Sequence, residues 1–79
     1  MNISEAMRLK REILASCGID VKMIDLPQTG FALSIERASL NAGSYKILAD
    51  FAAKKELFLQ LEIGNFILSK KALPANSSV

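Results

Sequence analysis

The part of the chain that decides the fold is residues 57–71, LFLQLEIGNFILSKK. Its first half alternates aliphatic residues with other residues, and the aliphatic ones are Leu57, Leu59, Leu61 and Ile63. This alternation is the period of a half-buried strand. Gly64-Asn65 is a two-residue loop of the kind that fits the primed hairpin turns. We therefore predict a hairpin of residues 57–63 and 66–71, with Leu61 opposite Leu68.

A second hairpin is predicted upstream, from residues 19–26 and 31–36. The later strand alternates cleanly, with apolar residues at every second position. The earlier strand loses its phase by one residue, which predicts a β-bulge near Met23. Pro27 and Gly30 supply the backbone geometry that the connecting turn needs.

Each hairpin follows an amphipathic helix, predicted over residues 4–17 and 40–55. Ser4 is the expected N-cap of the first helix, and Gly18 is expected to end it in the left-handed conformation. The residues predicted to share its apolar side are Ala6, Met7, Leu9, Ile13, Leu14 and Cys17. In the second helix the shared apolar face is Leu40, Ile47, Leu48 and Phe51.

The element order predicts an α+β domain with the order αββαββ. We expect a four-stranded antiparallel sheet with two helices packed on one face. The chain has 79 residues, enough for one domain, which we place at residues 1–73. Residues 74–79 are small and polar and are expected to form a flexible C-terminal tail.

One short stretch, Leu26-Pro27-Gln28-Thr29-Gly30, matches a named motif. It resembles the LPXTG sorting signal that sortases cleave between Thr and Gly in Gram-positive surface proteins. Such a signal precedes an apolar membrane segment and a basic tail, whereas residues 31–37 here read as a strand. The interpretation as a hairpin turn is therefore favoured.

The residue types of the chain predict no catalytic, cofactor-binding or metal site. Histidine is absent, which removes the commonest general base and metal ligand. Cys17 lies at the end of a helix, where the negative partial charge raises a thiol pKa and disfavours a nucleophile. We expect a protein that is not an enzyme and that carries no cofactor.

The expected location is the cytoplasm. A single cysteine among 79 residues is typical of a reducing compartment, since small secreted domains usually carry a disulfide framework. Met1–Glu5 shows no cationic region followed by an apolar run. No stretch approaches the ~18 apolar residues that span a bilayer, so no membrane partner is expected.

The leading functional hypothesis is a small protein-binding or homodimerising module. The outer face of the predicted sheet, away from the helices, should present apolar residues beside charged ones. The residues expected to form the interaction surface are Phe58, Ile67, Met23 and Lys71. Neighbouring apolar residues on an open sheet face are typical of association, so a protein partner or a second copy is expected.

The alternative hypothesis is a weak RNA- or DNA-binding domain. The net charge is +2, from 10 basic and 8 acidic residues, which falls short of a dense basic surface. The lysines at the edges of the predicted sheet could nevertheless contact phosphates: Lys22, Lys54, Lys55, Lys70 and Lys71. The sheet lacks the aromatic pairs on which bases stack, so protein binding remains the leading hypothesis.

Overall fold

A computed structural model describes residues 1–27 and 30–73. Its main elements are α1 (Ile3–Cys17), β1 (Lys22–Leu26), β2 (Gly30–Glu36), α2 (Ala42–Lys54), β3 (Phe58–Glu62) and β4 (Asn65–Ser69). A 3₁₀ turn, Arg37–Ser39, connects β2 to α2. The predicted α+β class and element order are confirmed. The predicted tail, 74–79, and two residues of the LPXTG-like stretch, Gln28 and Thr29, lie outside the described residues.

Helix α1 begins earlier than predicted because Asn2, and not Ser4, caps it. The side-chain oxygen of Asn2 accepts a hydrogen bond from the backbone N–H of Glu5 at 2.8 Å. This bond satisfies a donor that the first turn of a helix leaves unpaired. Gly18 ends the helix in the left-handed conformation, with φ of 69°, as the sequence predicts.

Only the centre of the predicted apolar side of α1 is buried. Ala6, Leu9 and Ile13 are buried, whereas Met7 and Leu14 are 45% and 52% exposed. At 100° per residue, Met7 and Leu14 lie roughly 100° or more around the helix from Ile13. They therefore flank the contact with the sheet instead of facing it.

Helix α2 has reciprocal hydrogen bonds at its start. The Asn41 side chain accepts from the backbone N–H of Ser44 at 2.8 Å, and the Ser44 hydroxyl accepts from the backbone N–H of Asn41 at 2.9 Å. This capping box satisfies two donors at once. After the helix ends at Lys54, Glu56 takes a left-handed φ of 58°, which turns the chain into β3.

The sheet order is β1-β2-β4-β3, and all three neighbouring pairs are antiparallel. Each helix-hairpin unit therefore contributes its second strand to the centre of the sheet and its first strand to an edge. The two units meet where β2 pairs with β4, with Ser34 opposite Ile67 and Ile35 opposite Phe66. In the described chain, β1 and β3 are the edge strands.

The register of the β3–β4 hairpin differs from the predicted one by two residues. Leu61 is opposite Phe66 and Leu59 is opposite Leu68, whereas a Gly64-Asn65 loop would place Leu61 opposite Leu68. Because the difference is an even number of residues, the side chains within β3 and β4 keep their predicted faces, whereas Ile63 leaves the strand for the turn. The observed register pairs leucine with apolar residues, while the predicted one would pair Leu59 with a lysine.

The turn of this hairpin is Ile63-Gly64, not Gly64-Asn65. Ile63 and Gly64 have φ of 44° and 80°, and positive φ at both central residues is what a type I′ turn requires. The backbone N–H of Arg37 donates to the Gly64 carbonyl at 2.9 Å. This long-range bond helps to hold a turn that places a β-branched residue in an unfavourable conformation.

The predicted β-bulge near Met23 is wrong. The β1–β2 ladder runs without interruption from the pair Lys22–Ser34 to the pair Leu26–Gly30. Met23 is opposite Leu33 on the helix face, in phase with the buried Ile19 and Val21, whereas Ile24 is opposite Ala32 on the outer face. The apparent slip is therefore a change of face within a regular strand, because Ile24 and Leu26 are apolar residues of the outer face.

One core lies between the helices and the sheet. It joins buried residues of α1, α2, both central strands and the connections that lead into β1 and β3: Ala6, Leu9, Ile13, Ile19, Val21, Leu33, Ile35, Leu48, Phe51, Ala52, Leu57 and Leu68. Both helices thus pack on one face of the sheet, as predicted. Ala32, Ile67 and Ser69 are also buried, but their register places them on the outer face.

Candidate protein-interaction site

The four residues predicted to form the interaction surface do not lie together. Phe58 and Ile67 share the outer face of the sheet, where Phe58 is opposite Ser69 and Ile67 is opposite Gln60. Phe58, on the edge strand, is 48% exposed. Ile67, on the central strand, is only 8% exposed, so it offers little surface to a partner.

Met23 lies on the other face of the sheet, whereas Lys71 follows β4 and is bonded to Ser69, the residue opposite Phe58. Met23 is opposite Leu33 and packs against the core on the helix face. Lys71 is exposed beyond the end of β4, and its carbonyl accepts a hydrogen bond from the buried Ser69 hydroxyl at 2.7 Å. Of the predicted set, Phe58 is therefore the residue that presents an apolar side chain at an accessible strand.

Two further apolar residues of the β3 hairpin are exposed, although the sequence pattern assigns them to the core. Leu61 is 49% exposed and Ile63 is 88% exposed. Ile63 is exposed because it occupies the turn, and Leu61 because β3 lies at the edge of the sheet. No local signal in the sequence reveals either fact, since the alternation in residues 57–63 is the same for an edge strand and a central strand. We call Phe58, Leu61 and Ile63 the β3 edge surface.

The β3 edge surface includes both faces of one strand. Phe58 lies on the outer face and Leu61 on the helix face, because successive strand residues alternate. On the helix face Leu61 is opposite Phe66, whose ring centroid is 5.1 Å from that of Tyr45. Tyr45 is itself 41% exposed. The apolar contact area therefore extends from the strand edge toward α2.

The two edge strands differ in how strongly they resist pairing. Edge strands are commonly protected by charged side chains and proline. β1 has the exposed charges Lys22 and Asp25, with Pro27 directly after the strand. β3, with the sequence FLQLE, carries one charge, Glu62, at its end. An added strand would therefore meet less resistance at β3.

A second group of exposed apolar residues lies on α1. Ile3, Met7 and Leu14 are each about half exposed, and their spacing places them on one flank of the helix. Between them, Lys10 lies 3.0 Å from Asp20 and donates a hydrogen bond to the Val21 carbonyl. Lys10 thus links this flank of α1 to the start of β1. The backbone groups along the flank are bonded within the helix, so the flank cannot pair with an added strand.

Two lysines of the nucleic-acid hypothesis, Lys55 and Lys70, line one cavity together with Glu5 and Glu12, and each of them binds one of these carboxylates. Lys55 lies 2.9 Å from Glu12, and Lys70 lies 2.9 Å from Glu5. The hydrogen bond from Lys70 holds the pKa of the Glu5 carboxyl below its usual value. A phosphate would have to compete with these intramolecular partners, which weakens a nucleic-acid interface here.

The chemistry around Cys17 is that of a half-buried thiol. It lines a shallow cavity of about 380 Å³ between α1 and α2, together with side chains that include Glu12, Asp50 and Lys54. Burial raises the pKa of the Cys17 thiol, so little thiolate forms at neutral pH. Within residues 1–27 and 30–73, no cluster of three or more His, Cys, Asp or Glu side chains could hold a metal ion.

Neither helix of the described residues is long and apolar enough to cross a membrane. The chain matches no protein-family model, and no curated protein sequence or solved structure resembles it with significance.

Proposed function

We propose that this chain is a protein-binding module and that its partner binds along β3. The observation that carries the proposal is an edge strand with exposed apolar side chains on both faces, Phe58 and Leu61, followed by the exposed Ile63. An edge strand presents unpaired backbone donors and acceptors, and an extended segment of another protein chain can satisfy them by adding a strand.

The energetics require both backbone and side-chain contacts. Covering the exposed half of a leucine side chain contributes about 1 kcal/mol. A few such side chains do not outweigh the ~4–15 kcal/mol that association costs in lost motion. Backbone hydrogen bonds, at about 0.5–1.5 kcal/mol each, supply the additional free energy. The strand edge and its apolar side chains therefore act together.

The cytoplasm is the proposed location. Cys17 is the single cysteine in these 79 residues, so the chain has no intramolecular disulfide to stabilise it in an oxidising compartment.

The proposed function is tested by selecting binding peptides. Random peptides displayed on phage are selected against the immobilised protein, and recovered sequences are titrated into the isotope-labelled protein. We expect extended apolar peptides that shift the amide resonances of Phe58–Glu62.

Two matched variants locate the binding site. Leu61→Lys and Leu14→Lys make the same change at nearly equal exposure, 49% and 52%, on β3 and on α1. Peptide binding should be lost in the first variant and kept in the second. Peptides that bind both variants equally, or that shift the α1 resonances instead, would contradict the proposal. Oligonucleotides that shift the lysine-rich segments while peptides do not would favour nucleic-acid binding.

A further inference from the structure

The arrangement of residues along β3 also indicates what the partner is. We infer that the strand which pairs with β3 is β3 of a second copy of this chain, running antiparallel to it, so that two sheets join into one. This inference rests on the proposed function and assigns an occupant to the same edge.

Symmetry restricts how two β3 strands can pair. A two-fold axis perpendicular to the sheet keeps each face on its own side, so one residue must lie opposite its own copy. The axis through Gln60 pairs all five residues of Phe58–Glu62. In this register Leu59 is opposite Leu61 of the second copy, and Phe58 is opposite Glu62 of the second copy.

This register matches leucines on the helix face, and on the outer face it pairs Gln60 with its own copy and Phe58 with Glu62 of the second copy. Leu59 is half-buried and Leu61 is 49% exposed in one copy, and the pairing brings the four leucines of both copies together beside the core. On the outer face Gln60 lies beside its own copy. Its amide oxygen accepts a hydrogen bond from the backbone N–H of Leu73 at 2.7 Å, and its amide nitrogen can donate to the second copy. The aliphatic face of β3 therefore supplies apolar contacts both to the core of its own copy and to β3 of the second copy.

The charges along β3 are compatible with antiparallel pairing. The two copies of Glu62 would be separated by four residues along the strand, about 14 Å, which exceeds the screening length of about 8 Å at physiological salt. At the start of β3, Lys55 is paired with Glu12, and the formal charges of Lys54 and Glu56 cancel. Antiparallel pairing places this end beside the Glu62 end of the second copy, so no excess of like charge approaches Glu62.

The other edge strand, β1, is less suited to antiparallel pairing with its own copy. An axis through Ile24, the centre of Lys22–Leu26, would place Met23 opposite Asp25 of the second copy on the helix face. A carboxylate against an apolar side chain beside the core is costly, so self-pairing at β1 is disfavoured.

The oligomeric state gives the first test. Light scattering over a concentration series should approach twice the 8.6 kDa mass of one chain. The variant Leu61→Lys should halve that mass, whereas the matched variant Leu14→Lys should leave it unchanged. Phe58→Glu places a carboxylate opposite Glu62 of the second copy, where like charges repel, and should also give a monomer. Circular dichroism identifies a variant that fails to fold, in which case the other variant gives the answer.

Disulfide trapping tests the register. In a Cys17→Ser background, Gln60→Cys places a thiol opposite its own copy, with Cα atoms about 4.5 or 5.5 Å apart, a distance that a disulfide spans. Mild oxidation should give a cross-linked dimer as the main species. Lys22→Cys is the matched control, because Lys22 ends the same cross-strand row through Ser34 and Ile67. It should remain largely a monomer on denaturing gels.

These experiments distinguish failure of the inference from failure of the proposed function. A wild-type protein that remains monomeric at the highest concentration overturns the second copy as occupant. Selected peptides that still bind β3 would then leave the proposed function standing. A dimer that survives Leu61→Lys and Phe58→Glu, or that does not cross-link at Gln60→Cys, associates through another surface and also overturns the inference.

Discussion

The ammonium nitrogen of Lys70 lies 2.9 Å from a carboxylate oxygen of Glu5, which joins the first turn of α1 to the residue after β4. Glu5 is separated from Lys70 by nearly the whole chain, so this ion pair connects the two helix-hairpin units. The same carboxylate lies near the positive end of α1.

The first prediction concerns the pH dependence of this ion pair. The hydrogen bond from Lys70 lowers the pKa of Glu5 from its ordinary value of 4.5. A carboxyl with a lowered folded-state pKa stabilises the fold above its unfolded pKa, and this contribution is lost as the pH falls through the folded pKa. Lys70→Gln should therefore raise the Glu5 pKa and weaken the protein at neutral pH, but not in strong acid. Carboxyl titration by NMR and urea unfolding at several pH values measure both effects.

The neighbouring variant Lys71→Gln is the control and should change neither the Glu5 pKa nor the stability at neutral pH. An equal change in both variants would contradict the assignment of the pKa shift to Lys70.

The second prediction concerns Gly30 at the start of β2. Gly30 has φ of 83°, and an added Cβ would lie 2.9 Å from the Met1 carbonyl oxygen. That oxygen accepts a hydrogen bond from the backbone N–H of Phe31 at 2.8 Å, so it cannot move freely. Gly30→Ala should destabilise the protein by more than the ~1–2 kcal/mol that left-handed strain alone costs. Gly18→Ala meets only the strain, since nothing lies within 4 Å of its added Cβ. Urea denaturation should show the larger loss for Gly30→Ala; equal losses would contradict the close approach of Met1.

The third prediction concerns the turn residue Ile63. Its φ of 44° is unfavourable for a β-branched side chain, whereas asparagine tolerates it and Asn-Gly is preferred in type I′ turns. Ile63→Asn should raise the free energy of unfolding by about 1 kcal/mol, measured at a concentration where the chain is monomeric. If Ile63 were instead a core strand residue, as the alternation predicts, the same change would destabilise the protein by several-fold more. Glu56 is the other described non-glycine residue with a left-handed φ, of 58°. Glu56→Asn should therefore also stabilise the protein, and it gives a second test of the cost of left-handed strain.

The fourth prediction concerns the reactivity of Cys17. Because burial raises its thiol pKa, the thiolate is scarce at neutral pH and modification by an aromatic disulfide reagent should be slow. The rate should increase as the pH approaches the raised pKa. Ser16→Cys in a Cys17→Ser background places a thiol at an exposed neighbouring position and should react faster. Equal rates at neutral pH would show that burial does not control Cys17.

The helices and the hairpins follow from local pattern alone. The spacing of Ala6, Leu9 and Ile13 repeats with the period of a helix, and Gly18 provides a conformation that other residues adopt at a cost. Alternation in residues 57–63 is equally local, because successive strand residues face opposite sides. These features need only neighbouring residues, so the α+β class and the element order can be predicted from the sequence.

The candidate site depends on contacts between distant parts of the chain. Strand order is decided by the pairing of β2 with β4, which leaves β3 at an edge and exposes Leu61. The turn at Ile63 is supported by a hydrogen bond from Arg37, far from it in the sequence. Alternation shows which face a side chain takes, but it cannot show whether the next strand is present. The order of the strands decides this, and that order depends on pairing between distant parts of the chain. For this reason only the tertiary structure shows that residues 58–62 form an edge of the described sheet.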